Sequence, residues 1–292
     1  MATLRELKAR IGSVASSEKI TGAMKMISSA KMHKAEQALR QLKPYRSQVE
    51  TIIANLLSAD VEFASPLLES REVKSIALVI LGSDNGLCGA YNVNIYKQAT
   101  VHIENLRKEH PDATITLLPI GSKVAKQVVK LGSPTVKIDT NTGMDSKSDQ
   151  EAVRMFTARL RDDFMSGRFD LIESLSTHYH SVSRQRIETR RLLPVEATSL
   201  SGNTREAVIK PYIFEPSPKA IVETVLPLFQ LAVMQDLFTQ NQASEHAARV
   251  MAMQSANDNA KKLLDQLRLE YNKLRQQSIT NELLDIVGGQ VR

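Results

Sequence analysis

The stretch MQSANDNAKKLLDQLRLEYNKL, Met253–Leu274, decides how this chain is organised. Met253, Asn257, Ala260, Leu264, Leu267, Tyr271 and Leu274 recur at alternating spacings of three and four, the seam of a helix that lies along another helix. Asn257 is polar within that seam, a residue type that fixes register in paired helices. Toward the N-terminus the helical pattern reaches back to Ser217-Pro218, a cap residue followed by proline at the first helical position, where a missing amide costs least. Pro227 predicts an early bend. From Leu228 to Gly288-Gly289 no glycine or proline interrupts the chain, about 60 residues or roughly 90 Å of helix. A helix that long with an apolar seam needs a partner.

The partner is at the other terminus. Thr3-Leu4-Arg5-Glu6 fits a capping box, in which the threonine hydroxyl accepts an amide and the glutamate reaches back. Leu4, Leu7, Ile11 and Val14 start a second seam. After an interruption Ala35, Ala38, Leu42, Tyr45, Val49, Ile52 and Leu56 resume it, and Pro44 predicts a kink. Residues 1–60 and 217–288 are therefore expected to pair. Between them the texture changes to short apolar runs: Val73–Leu81, Thr114–Ile120, Leu171–Thr177 and Arg186–Val195 read as strands, and 92–109, 121–131 and 149–166 as helices. This alternation predicts a central α/β domain over 72–200. Residues 139–150 read as an exposed loop.

Composition narrows the function classes. The chain has 38 Lys/Arg against 32 Asp/Glu, and the excess is concentrated: residues 1–46 carry ten basic and three acidic side chains, whereas 216–292 carry eight of each. A basic N-terminal segment asks for an acidic partner. The single cysteine, Cys88, makes no intramolecular disulfide and no zinc cluster, which suits a reducing compartment. No run of 18 apolar residues and no signal-peptide core appear, so a soluble protein is expected, one able to dock on a membrane assembly.

The most enzyme-like string is Gly82-Ser83-Asp84-Asn85-Gly86-Leu87-Cys88-Gly89, between a buried strand and a helix. It has neither Gly-x-Gly-x-x-Gly nor Gly-Lys-Ser/Thr, so the groups that cradle phosphate are missing, and a turn needing backbone freedom is the plainer reading. Cys88 reads as a small semi-buried thiol rather than a nucleophile. His178 and His180 share a strand face, but two ligands without a third are a weak metal signal and read as a water-exposed pair. Asp162 and Asp163 diverge by about 100° on a helix and read as solvated surface. Lys19, Lys25, Lys31 and Lys34 mixed with Met24, Met26 and Met32 make an adaptable, positive surface suited to sliding contact or an acidic groove; a merely solvated helix fits the same composition. Ala243, Ala247, Ala248, Ala252, Ala256 and Ala260 make a thin rod that a sleeve can fit closely, or they simply favour helix.

Four strings, in order and correctly spaced along essentially the whole chain, carry a family resemblance: Lys19–Met26, Ser83–Gly89, Ala243–Met253 and Ile279–Leu283. They resemble the gamma subunit of F-type ATP synthases. The resemblance implies an antiparallel coiled coil of the terminal helices and a central Rossmann-like α/β domain as a foot. It implies a rotor shaft inside a hexamer of alpha and beta subunits, with epsilon and a membrane ring of c subunits at the foot. It implies no catalytic residue, cofactor or metal in this chain, ATP being bound by alpha and beta. By the same resemblance the contact and coupling residues are Met24, Arg249, Arg275, Gln276, Thr280 and Glu282; Lys25 joins them by position and charge. Asn85 stands where the family usually has a basic residue. The ending Gly288-Gly289-Gln290-Val291-Arg292 departs from the usual small apolar tail, and Arg292 is expected to project. No paired-cysteine insertion suggests a thiol switch. The cytoplasmic face of a bacterial plasma membrane is implied, ahead of the mitochondrial matrix face.

Two rival readings stand beside this one. A nucleotide-binding α/β enzyme with helical appendages requires phosphate-loop chemistry that the sequence lacks. A basic coiled-coil protein for nucleic acid requires a reader motif, and only 4% of residues are aromatic.

Overall fold

The structure, a computed structural model, describes residues 3–58, 65–195, 215 and 217–289. Helix α1 spans Leu4–Ser58 and closes the chain's first turn as its sequence dictates: Thr3 N donates to Glu6 Oε2 at 2.8 Å, and Glu6 N donates to Thr3 Oγ1 at 3.3 Å. The last helix, α5, spans Pro218–Gly289, with Ser217 Oγ accepting Ala220 N at 3.3 Å as its cap. Both internal prolines lie inside continuous helices, so neither Pro44 nor Pro227 ends its element. An interior proline costs about 3 kcal/mol. Packing on both sides of Pro44 offsets it: Met32 and Ala35 before it and Val49 and Ile53 after it are buried, and Arg46 pairs with Asp236 of α5.

Between the helices come β1 (Ser75–Leu81), α2 (Tyr91–Glu109), β2 (Thr114–Ile120), α3 (Ser122–Val128), β3 (Val136–Ile138), α4 (Gln150–Met165), β4 (Leu171–Ser181) and β5 (Arg184–Leu193). They form one sheet in the order β3-β2-β1-β4-β5, parallel throughout except for the antiparallel β4–β5 pair. Strand β3 is the element that pattern reading misses. It has three residues, too few to show a period of two.

Alternate residues of the central strand divide the core in two. Ile76, Leu78 and Ile80 face α2 and α3. Ala77, Val79 and Leu81 face α4, and on that side the layer is completed by the shaft itself, through Val49 and Ile53 of α1 and Val222–Phe238 of α5. One 18-residue window of α5 is apolar enough to cross a membrane by hydropathy, with 56% of it buried inside the protein. The foot's core explains that hydropathy.

Above the foot the two helices run antiparallel. Asn257 Nδ2 donates to the backbone carbonyl of Glu18 at 2.7 Å and lies 3.3 Å from Thr21 Oγ1. A Cβ at Gly22 would come within 3.3 Å of the same amide, so the small residue admits the polar pin. Among the described residues beyond Asn257, only Leu264 and Leu267 of α5 are buried, facing Leu7 near the start of α1.

Candidate functional site

The basic collar is an exposed, two-sided surface. Ile20, Met26 and Ile27 expose more than half of their area, with Lys19, Lys31 and Lys34 exposed around them. Met24 and Lys25 are half-buried. Met24, Ile27 and Lys31 line a cleft of about 980 Å³ whose other walls include Leu87, His246 and Arg249, so the structure brings Met24 and Arg249 to one site. Loose apolar groups beside lysines in a concave face suit an adaptable contact.

Arg275, Gln276, Thr280 and Glu282 lie elsewhere, on the end of α5, and all four are exposed. The Asn257–Glu18 pairing places Leu4 opposite residues near 271. The 14 or so residues that follow Arg275 therefore project past α1 by roughly 20 Å. Leu283, Leu284 and Ile286 are about 60% exposed on this end. The Thr280 hydroxyl donates to the Gln276 carbonyl at 2.9 Å, and Glu282 accepts from Ser278 at 3.4 Å, so these side chains are held only by their own helix. Gln290-Val291-Arg292, expected to project further, lies outside the described residues.

Arg249 is different in kind. It is only 6% exposed, and its guanidinium bonds to groups of α5 and of the 83–89 loop. Nη2 donates to Glu245 Oε1 at 2.6 Å and to the Asn85 carbonyl at 3.3 Å, Nε donates to the Gly86 carbonyl at 3.2 Å, and Nη1 to His246 Nδ1 at 3.1 Å. Burial raises the Glu245 carboxyl above its ordinary range, against the pull of Arg249. Burial, with Arg249, Lys31 and Lys147 nearby, pushes His246 down to about 4, so its imidazole is the neutral acceptor at pH 7.

These contacts close a crevice with a recognisable address. In a sheet ordered 3-2-1-4-5, the crossovers from β1 and into β4 leave on opposite faces, and open α/β sheets bind ligands just outside the carboxyl ends of such strands. Here α5 lies across that position. Asn241 Nδ2 donates to the Gly82 carbonyl past β1 at 3.0 Å, Ser244 Oγ donates to the Thr177 carbonyl of β4 at 3.1 Å, and Tyr179 N donates to Gln240 Oε1 at 3.0 Å. Tyr91 adds its hydroxyl to Asn241 Oδ1 at 2.7 Å. The first two loop amides are already engaged: Ser83 N donates to Asn92 Oδ1 at 3.1 Å and Asp84 N to Ser146 Oγ at 3.4 Å, while the Asp84 carboxylate accepts from Ser122 N and from Ser146 N and Oγ, each within 2.8 Å. Burial opposes ionisation of Asp84, but those hydrogen bonds win and its carboxyl titrates below its usual range. Gly121 makes this approach possible, with φ +108 and an ideal Cβ only 2.9 Å from the Ser83 carbonyl. Leu87 takes φ +63, rare for a branched side chain.

Several expectations change. The alanine run does not form an open sleeve-facing rod, because Ala243 and Ala247 are fully buried in the joint with the foot. The 139–150 loop is not wholly exposed: Thr142 and Ser146 are buried, Ser146 by Asp84. Asp162 is solvated, but Asp163 is largely covered and accepts from Arg168. His178 and His180 stack edge to face at 4.7 Å, His180 exposed and His178 half-buried. Among the described residues no three His, Cys, Asp or Glu side chains converge as metal ligands. Sequence reasoning missed the Tyr179 hydroxyl on Glu36 and the pairing of Arg46 with Asp236, which tie the foot to α1 and α1 to α5. Neither pair has a local signal, since 143 and 190 residues separate the partners.

Two terminal helices paired above a foot, with one end projecting, define a stalk-like protein. The chain matches the ATP synthase family model over residues 3–291. It is 42% identical to the ATP synthase gamma chain of Phocaeicola vulgatus, covering 99% of both chains, and 39% identical to that of Bacteroides thetaiotaomicron, covering all of both. Its fold is similar to a chain of the Euglena gracilis mitochondrial ATP synthase OSCP/F1/c-ring structure, with TM-score 0.65 and 19% identity over 99% of this chain and 93% of that one. A chain of the Tetrahymena thermophila mitochondrial ATP synthase central stalk/c-ring structure matches with TM-score 0.55 and 19% identity, over 81% and 99%. The chain belongs to the ATP synthase gamma chain family.

Proposed function

We infer that the chain is the central rotor shaft of an F-type ATP synthase, coupling proton-driven rotation of a membrane ring to conformational change at catalytic beta subunits. The observation that carries this is the paired terminal helices, with about 20 Å of bare helix at one end and a compact α/β foot at the other. The partners are the alpha/beta hexamer around the shaft, and epsilon and the c ring at the foot; the family and the stalk structures with similar folds support them. The chain is a non-catalytic subunit. Its foot has the topology of a ligand-binding sheet, yet its own helix fills the crevice, which argues against the nucleotide-enzyme reading. The bacterial relatives support a place on the cytoplasmic face of the plasma membrane.

The mechanism follows from asymmetry. A shaft drives a change in a beta subunit only if the subunit's states differ in their free energy of contact with the face presented to them. The collar supplies one such face, with Met24 and Lys25 in it, and the tip another, with Arg275, Gln276, Thr280 and Glu282. One face of the collar is apolar and basic while the opposite side of α1 is occupied by α5, so each 120° of rotation presents a beta subunit with a different surface. The test is reconstitution with cognate alpha and beta subunits. Assembly and ATP hydrolysis should both depend on the chain; if neither changes when it is left out, the reading fails.

A further inference from the structure

We propose that Arg249 is an intramolecular positioning residue that fastens the 83–89 loop to α5, so that the crevice at the carboxyl ends of β1 and β4 serves as the torque-bearing joint between foot and shaft. This rests on the rotor reading above. It differs from what family resemblance implies for Arg249, a direct contact with a partner.

The geometry points inward at every donor. The side chains of Arg249 and Glu245 are 7% and 4% exposed and 2.6 Å apart, and the guanidinium fork also reaches two successive main-chain carbonyls and a neutral imidazole. Backbone carbonyls are fixed points. A planar fork held against two of them constrains orientation as well as distance. The other polar links at the crevice share this character: Asn241, Ser244 and Gln242 all donate to main-chain carbonyls of the foot, those of Gly82, Thr177 and Ser146.

Apolar packing alone resists separation, but it is non-directional and gives little resistance to a helix turning against its support. Directional bonds to the backbone supply what packing lacks. Torque generated at the ring enters through the foot and leaves through the collar and tip, so it crosses this joint. The bonded carbonyls, of Asn85 and Gly86, directly precede Leu87, which takes a left-handed backbone angle, is 58% exposed and lines the collar cleft. Loosening the joint therefore also displaces a wall of that cleft.

The experiment uses the whole complex in proteoliposomes, reading ATP-driven proton pumping per ATP hydrolysed. Arg249→Gln should lose most of that ratio while hydrolysis continues, and Arg249→Lys, which keeps the charge but cannot span both carbonyls, should lose it too. In the isolated chain, amides of residues 83–89 should exchange roughly 10- to 100-fold faster, the factor for losing charge-assisted hydrogen bonds. Rescue supplies the decisive arm. An ideal Cβ at Gly89 lies 3.7 Å from the Ala252 Cβ, within the span of a disulfide. Gly89→Cys with Ala252→Cys, in a Cys88→Ala background, should restore pumping to Arg249→Gln when oxidised and lose it again on reduction, with the same cross-link beside intact Arg249 as reference. Gly89 has φ +60, so the cross-link is judged against its reference. Normal pumping by Arg249→Gln, or failure of the oxidised cross-link to restore it where the same cross-link beside intact Arg249 pumps, overturns the proposal and returns Arg249 to a partner contact. A reference that does not pump sends the rescue to the Arg249→Lys and exchange arms, where parent-like values overturn it. If the unaltered chain itself neither assembles nor couples, the rotor reading fails instead.

Discussion

Leu267→Ala should open the upper shaft of the isolated chain and leave its foot folded. Leu267 is 3% exposed, and its fully buried companions above Asn257 are Leu264 and Leu7, at 6% and 2%. Three buried leucines contribute about 1.5–3 kcal/mol each, so this region rests on roughly 5–9 kcal/mol of burial, opposed by the entropy of ordering two helical arms. Removing one leucine costs about 3 kcal/mol including the cavity left behind. That is a large share of the local stability, and about 3 kcal/mol raises the open population by about 100-fold. The foot shares none of these contacts, since its core is built from β1, β4, α4 and the lower parts of both helices. Hydrogen exchange checks this amide by amide. Residues 4–20 and 258–275 should exchange about 100-fold faster, with β1 and β4 unchanged. Acceleration shared equally by β1 would refute the reasoning, because it would make shaft and foot one cooperative unit; so would an upper shaft that exchanges less than a few-fold faster than the parent.

Three further outcomes are expected. Gly121→Ala should destabilise the foot by about 2–4 kcal/mol, because φ +108 is strained for any side chain and its Cβ would press on the Ser83 backbone; a urea midpoint equal to that of the parent would count against the fit described. His246, whose folded pKa is lowered to about 4, contributes stability that is complete above its unfolded value near 6.5 and is lost as pH falls from there to about 4. The ceiling of about 3 kcal/mol is discounted to about 1–2 because the ring is partly exposed. The neighbouring Glu245, raised by burial, acts in the opposite sense, so the clean comparison is parent against His246→Gln in urea at pH 7 and pH 4.5, where the parent should lose more. Truncation of residues 276–292 should weaken coupling in the assembled complex and leave thermal melting of the foot in the isolated chain unaltered; equal loss of both would argue that the projecting end is structural.

The long-range plan was legible in the sequence because it is written in periodicity. The seam from Met253 to Leu274, the capping box at Thr3-Glu6 and the Ser217-Pro218 cap each depend on residues within a turn or two of one another, and each appears in the structure. Strands β1, β2 and β4 were equally plain because they are buried, apolar and bounded by turns. What stayed hidden was tertiary. Pro44 reads locally as a kink, and the burial of α1 on either side shows what holds the helix continuous through it. Thr142 and Ser146 sit in a run of polar residues that looks solvated, yet an aspartate 62 residues away makes Ser146 part of the interior.

Arg249 shows the same limit at the level of function. Its sequence string places it on a helix rich in alanine, which reads as a thin rod for a close-fitting sleeve or simply as a composition that favours helix. The alanines instead bring the helix backbone close to the sheet: Ala243 and Ala247 have no exposure, and a Cβ at Gly89 would touch Ala252 at 3.7 Å. Close approach is what allows short polar side chains at 241 and 244 to reach main-chain carbonyls, and on the joint proposed above it turns the Arg249 guanidinium toward Glu245 and the 83–89 loop. Small residues and an arginine on one helix thus define an internal joint when a sheet lies against them and an external bearing when nothing does. In this chain the two cases lie along one helix: the sheet covers 236–249, and the exposed positions of α5 from Arg275 onward have no covering element among the described residues. On the proposed rotor reading, contact with a stator belongs to the second stretch and to the collar, and transmission of torque to the first.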